Sequence, residues 1–219
     1  MIDNQIAVTA LRNRAITLAG PTTGSATLAA TTTGYTRASG SFLTDGFVVG
    51  MEITPTGFSS NPVSCITAVS ALAMTVRDAR SAETSASGRA LAVGFPALRA
   101  FENIDFTPTS GRWYVEDDYL PGPAIQETLG PLGWIETLPQ YVVKFYGLQN
   151  TSTAALFKVA DTFLRLFPPR QSIVLSDGNV IVVRTNPAPY RGQIQAAPDA
   201  GWAVVAVTIP CRVRSQNTI

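Results

Sequence analysis

Histidine is absent from this 219-residue chain, cysteine occurs twice, and charged residues make up 14% of it, against roughly 25% in ordinary soluble domains. Each shortage excludes something. Without an imidazole there is no side chain whose ordinary pKa poises it for acid–base work near neutral pH, and the commonest nitrogen ligand for a transition metal is missing. Cys65 and Cys211 lie far apart in apolar, strand-like surroundings, which favours buried free thiols over a disulfide and suits a reducing cytoplasm. The net charge is +1 and no Lys/Arg block of five exists, so non-specific nucleic-acid binding gets no support. The longest apolar run, Trp202 to Ile209, falls far short of the about 20 residues that cross a bilayer. The opening Met1-Ile2-Asp3-Asn4 lacks the basic and apolar regions of a secretory signal, and no secretory route is expected. No phosphate-cradling Gly-x-x-x-x-Gly-Lys motif occurs, and Lys144 and Lys158 are isolated. No enzyme, no cofactor and no metal site is expected.

What is present is best organised around Gln140 to Arg184. Gln140 to Tyr146 is β-branched and aromatic, which suits a strand. Leu156, Val159, Ala160, Phe163 and Phe167 then line one helical face, with Thr151 or Ser152 as cap and Pro168-Pro169 as stop. Ser172 to Leu175 and Val180 to Val183 flank Asp177-Gly178, a dipeptide that supplies the positive φ of a tight hairpin turn. The hairpin should pack beside that helix.

Upstream, Asp3 and Asn4 can cap a first helix carrying Ala7, Leu11, Ala15 and Leu18, stopped by Gly20-Pro21. From about Pro21 the composition turns to Ser, Thr, Ala and Gly. This reads as an inserted β-module with strands over Ser25 to Ala30, Tyr35 to Ala38, Val48 to Thr54, Val63 to Val69 and Leu72 to Val76. Low complexity is the competing reading, opposed by Phe42, Phe47, Met51, Ile53, Phe58, Ile66, Leu72 and Met74, which give the segment apolar surface to bury. The expected division is 1–20 and 94–219 as one domain, with 21–93 inserted. The expected class is α+β: a mixed or antiparallel sheet packed against two helices, plus an all-β insert forming a small sandwich or barrel.

Phe95 to Pro108 reads as an extended connection. Arg112 to Leu120 reads as a strand with Trp113, Val115 and Asp117 on one side and Tyr114, Glu116 and Asp118 on the other, pairing with Gln140 to Tyr146. Between these strands, Pro121 to Pro139 is too rich in Pro and Gly for regular structure. Loops above roughly 12 residues in compact domains tend to be functional or mobile, which makes Ile125, Glu127, Leu132, Trp134 and Glu136 candidate contacts to a neighbour. Leu132 and Trp134 could equally plug the core. Glu116, Asp117 and Asp118 form a carboxylate cluster with three readings: solvated strand-end charges, a channel lining, or metal and acid–base chemistry. The last is disfavoured because adjacent strand residues face opposite ways. Asn150-Thr151-Ser152 matches a glycosylation triplet but reads more simply as a helix start. Trp202 to Val213 should close the sheet.

The order of elements resembles the tail terminator, or tail completion, proteins of long-tailed bacteriophages. The residues that carry the resemblance are Phe101-Glu102-Asn103-Ile104-Asp105-Phe106-Thr107-Pro108, Trp113-Tyr114-Val115-Glu116, the helix Thr151 to Phe167 with its following hairpin, and Gly201-Trp202 through Ile209-Pro210-Cys211-Arg212. They cover roughly the first 20 and last 125 residues. Within the insert, Ser39-Gly40-Ser41-Phe42, Thr44-Asp45-Gly46-Phe47, Val49-Gly50-Met51 and Ile66-Thr67-Ala68-Val69 resemble a small β-module of phage virion proteins, which the simplest terminators lack. The resemblance implies a virion subunit at the head–tail junction, assembled in the host cytoplasm. It implies a homo-hexameric ring that caps the tail tube protein, ends tube polymerisation and meets the head connector or stopper. DNA would pass through such a ring without specific binding, and Glu116, Asp117 and Asp118 could face its lumen. Another neck, minor tail or tube protein and a β-rich host-surface module remain open.

Overall fold

The computed structural model describes residues 3–100, 106–128, 133–149, 153–197 and 201–216. Helix α1 (Asn4–Ala15) is capped by Asp3, whose carboxylate accepts the Gln5 N–H at 2.8 Å, and it buries Ala7, Leu11 and Ala15 along one stripe. It ends at Ala15, earlier than Gly20-Pro21. That dipeptide instead lies in β1 (Ala19–Thr22).

Next come β2 (Ala26–Thr31), β3 (Gly34–Arg37), β4 (Glu52–Thr56), β5 (Ser64–Val69), β6 (Ala73–Val76) and β7 (Glu83–Gly94). They run β7-β2-β3-β6-β5-β4, and β4 returns to β7, closing a six-stranded barrel. Closure depends on β7, whose twelve residues pair with β2 and β1 on one side and with β4 on the other. The sequence reading missed β7 because Glu83-Thr84-Ser85-Ala86-Ser87-Gly88 has little β-branched or aromatic character. Its strand state comes from its neighbours' hydrogen bonds, and only its second half buries alternate residues, Arg89, Leu91 and Val93. Leu28, Tyr35, Ile53, Ile66, Met74 and Leu91 are among the buried residues of the barrel. At Gly34 a Cβ would fall 1.9 Å from the Met74 carbonyl oxygen, so the contact between β3 and β6 requires glycine.

The second sheet contains β8 (Leu98–Ala100), β9 (Tyr114–Leu120), β10 (Ala124–Gln126), β11 (Trp134–Thr137) and β12 (Gln140–Leu148). After α2 (Thr153–Leu164) follow β13 (Ser172–Val174), β14 (Val180–Val183), β15 (Tyr190–Arg191), β16 (Gln195–Ala196) and β17 (Trp202–Gln216). β17 is its centre, not its closing edge. Its first half pairs with β12 on one side and with β16 and β15 on the other; its second half pairs with β11 and β14. Pro210 marks the change of partner: it has no N–H to give, and the Cys211 N–H turns to the Pro139 carbonyl at 2.8 Å. The expected pairing of β9 with β12 holds in register from Leu120↔Gln140 to Tyr114↔Tyr146. The β13–β14 hairpin also forms as expected, with Gly178 at φ 84° in its turn, but it packs against α1 rather than α2.

Three expectations are corrected here. The class is mostly β and not α+β: strands hold 46% and helices 12% of the described residues. Two twelve-residue helices occur among the described residues and are accessories to the barrel and the sheet. The segment from Pro121 to Pro139 is not irregular throughout, since it forms the β10–β11 hairpin. The extended connection after Phe95 likewise contains β8, which pairs parallel to β9.

Helix α2 buries Leu156, Val159, Ala160 and Phe163, and Phe167 just beyond it is buried too, as the periodicity requires. Thr151 and Ser152, expected to cap it, lie outside the described residues. Phe163 meets Phe145 at 5.2 Å and Phe95 at 6.1 Å between ring centroids, at the base of the barrel's last strand. Barrel and sheet share one buried core. The Glu52 carboxylate accepts the Trp113 N–H at 2.9 Å and the Arg112 Nε–H at 2.7 Å, and Lys158 Nζ donates to the Gly46 carbonyl at 2.6 Å.

Candidate functional site

The acidic trio is divided by strand alternation. Asp117 faces inward and is buried, where Arg12 of α1 meets it through Nε at 2.5 Å and Nη2 at 3.0 Å, and Tyr141 OH donates to it at 3.1 Å. Burial first, then the Asp117 charge, pushes the Tyr141 phenol well above its ordinary pKa. A lumen-facing role for Asp117 is therefore corrected: its carboxylate is a core group tying α1 to β9. Glu116 and Asp118 face outward, with Lys144 between them at 3.1 and 3.0 Å, and Tyr146 OH donates to Glu116 at 2.7 Å. Partial burial alone would lower the Lys144 pKa, but its hydrogen bonds to Asp118 and Glu116 outweigh that and raise it. Two carboxylates against one ammonium leave this patch one formal negative charge.

Among the described residues, no group of three or more Cys, Asp or Glu side chains comes together in a way that could hold a metal ion. Cys65 and Cys211 are free and buried. Burial pushes both thiols up to about 12, with Glu52 adding to the effect at Cys65, so neither supplies a thiolate near neutral pH.

The β10–β11 hairpin presents a different kind of surface. Ile125 stands opposite Glu136 in the ladder, and the outward face of these strands carries Ile125 at 47% and Trp134 at 45% exposure. Of the two readings of Trp134, the core plug is thus excluded. Leu132 lies outside the described residues. Glu127 and Glu136 are tied back to β17, to Arg214 at 2.7 Å and Arg212 at 3.4 Å. These pairs hold the hairpin against the sheet and leave Ile125 and Trp134 as its free apolar groups.

No family model matches this chain. No curated protein matches it either. Among solved structures, a chain whose name carries no functional word is 21% identical, with a TM-score of 0.41, over 54% of this chain and 79% of its own length. A likeness that low supports no inference.

What the residue-by-residue reading missed is the opposite edge. Across the second half of β17 the strands run β10-β11-β17-β14-β13, so β13 is the counterpart of β10. Val174 at the end of β13 is 71% exposed. In the sequence it sits within an apolar run, Ile173-Val174-Leu175, and looks like core; the alternation that buries Ile173 and Leu175 is what turns Val174 outward.

Proposed function

We propose that this chain is a structural virion subunit of the tail terminator kind, which joins copies of itself head to tail in a closed ring on the end of a tail tube. The observation that carries this reading is the pair of unlike free edges on one five-stranded sheet. β10 offers Ile125 with Trp134 beside it, and β13 offers Val174, each apolar and uncovered. An open strand edge without a blocking charge is a template for pairing, and contact between two different patches of one subunit generates a ring when the rotation closes. The motifs around Trp113-Tyr114-Val115-Glu116 and the closing strand supply the family expectation of six copies. The low charge content, the buried high-pKa thiols and the absence of histidine favour assembly over chemistry.

In this reading the ring meets the tail tube protein on one face and the head connector or stopper on the other, at the head–tail junction. DNA passes through it, and the one-charge excess at Glu116, Asp118 and Lys144 is a weak repulsive contribution if that patch lines the channel. Substituting Ile125→Lys or Val174→Lys tests the reading. Each should leave the fold intact by circular dichroism and reduce ring formation on tail tubes, whereas rings unaffected by either change would refute the edge-to-edge contact.

A further inference from the structure

We infer that the cleft beside β14 is an anion site built for phosphate. It measures about 580 Å³ and is lined by Arg170, Arg184, Arg212, Glu136, Thr185 and Asn186, among others. Three guanidinium groups face one carboxylate there, a formal excess of two positive charges in a chain whose total is +1. Arg212 is occupied by Glu136 at 3.4 Å. Arg170 and Arg184 are not: with Arg165 they are the cations left without a side-chain hydrogen bond, ion pair or ring contact among the described residues. The others donate to carboxylates or carbonyls or sit over aromatic rings. That two of these three border the same cleft sets it apart from the surface at large.

The frame beneath these arginines is rigid. The Arg170 N–H donates to the Val183 carbonyl and the Arg184 N–H to the Pro210 carbonyl, both at 2.9 Å, so each backbone is fixed to the sheet. Arg170 is also the non-glycine residue with positive φ among the described residues, at 67°, a conformation that costs energy for a side chain of its size. Guanidinium groups on a fixed frame match the oxygens of a phosphate in a forked geometry, and Thr185 and Asn186 add neutral donors. A lone carboxylate needs one such fork; two unpartnered ones suit a dianionic phosphate or successive phosphates of a nucleic-acid backbone. The site does not depend on ring assembly.

The test is an NMR titration of the arginine Nε–H resonances with inorganic phosphate and, separately, with a short DNA duplex, against chloride at equal ionic strength. Arg170 and Arg184 should shift saturably, and Arg170→Gln or Arg184→Gln should weaken binding roughly tenfold. Arg165→Gln, which removes the same charge outside the cleft, should leave it unchanged. Binding of phosphate alone identifies a free phosphate or monoester. Binding of the duplex as well, with a logarithmic salt slope of about −2 to −3, identifies a backbone, and both outcomes support the site. No saturable shift, or equal weakening by Arg165→Gln, overturns it. A change in self-association instead of anion binding would place a carboxylate of a second copy in the cleft and overturn it as well.

Discussion

Arg12 and Asp117 form a two-point ion pair, Nε to Oδ2 at 2.5 Å and Nη2 to Oδ1 at 3.0 Å, joining the first helix to the second sheet across more than a hundred residues of chain. The carboxylate is buried and the guanidinium is partly open to solvent. Removing the carboxylate takes away the two-point acceptor of Arg12 and the acceptor of the Tyr141 hydroxyl, which is buried at the same place. Asp117→Ala is expected to destabilise the fold by about 2–4 kcal/mol, while the double variant Arg12→Met with Asp117→Leu should recover much of that loss. Urea unfolding of Arg12→Met, Asp117→Leu and the double variant measures the coupling.

Glu52 links the barrel to the sheet through Arg112 and the Trp113 N–H. Its loss leaves a backbone donor and a guanidinium without their acceptor, and Glu52→Ala should lower stability by about 2–3 kcal/mol. Because the core is continuous, thermal unfolding of this variant should remain one transition. Two separated transitions would show that barrel and sheet unfold independently.

Gly34→Ala should destabilise by about 1–3 kcal/mol, since its Cβ would meet backbone and not a movable side chain. The chemical-denaturation midpoint reads this directly.

Stability should fall as pH rises above 9. The Cys65 and Cys211 thiols titrate from 9.0 when unfolded but are pushed to about 12 in the fold, and the phenols of buried Tyr35 and half-buried Tyr119 move from 10.0 to about 12. Between those values the unfolded chain releases protons that the folded chain keeps. Each such group therefore contributes fully below its unfolded pKa and loses about 1.4 kcal/mol per pH unit through the window. Unfolding curves from pH 8 to 10.5 should show a shallower decline for Cys211→Ala than for the parent chain.

Elements with their own periodicity were legible in the sequence. The stripe from Leu156 to Phe167, the Asp177-Gly178 turn and the alternation of Trp113, Val115 and Asp117 each predicted a geometry that the fold contains. The α+β class failed because much of the strand content lacks such a signature. β7 is Ser-, Ala- and Gly-rich, β10 and β11 sit among prolines and glycines, and β15 and β16 are two residues long; their strand state is imposed by neighbours. The inward turn of Asp117 could be read from alternation, but its partner Arg12 could not, because nothing local specifies a contact so distant in sequence. The outward turn of Val174 was likewise hidden within an apolar run.

We propose that copies of this chain close on themselves around a channel at the end of a tail. Cryo-electron microscopy of assembled particles tests it most directly. A single ring of six copies at the head-proximal end of the tail tube, with β10 of each copy against β13 of the next, is the expected result. Copies distributed along the whole tube, placed at the distal tip, or present as separate monomers would contradict it.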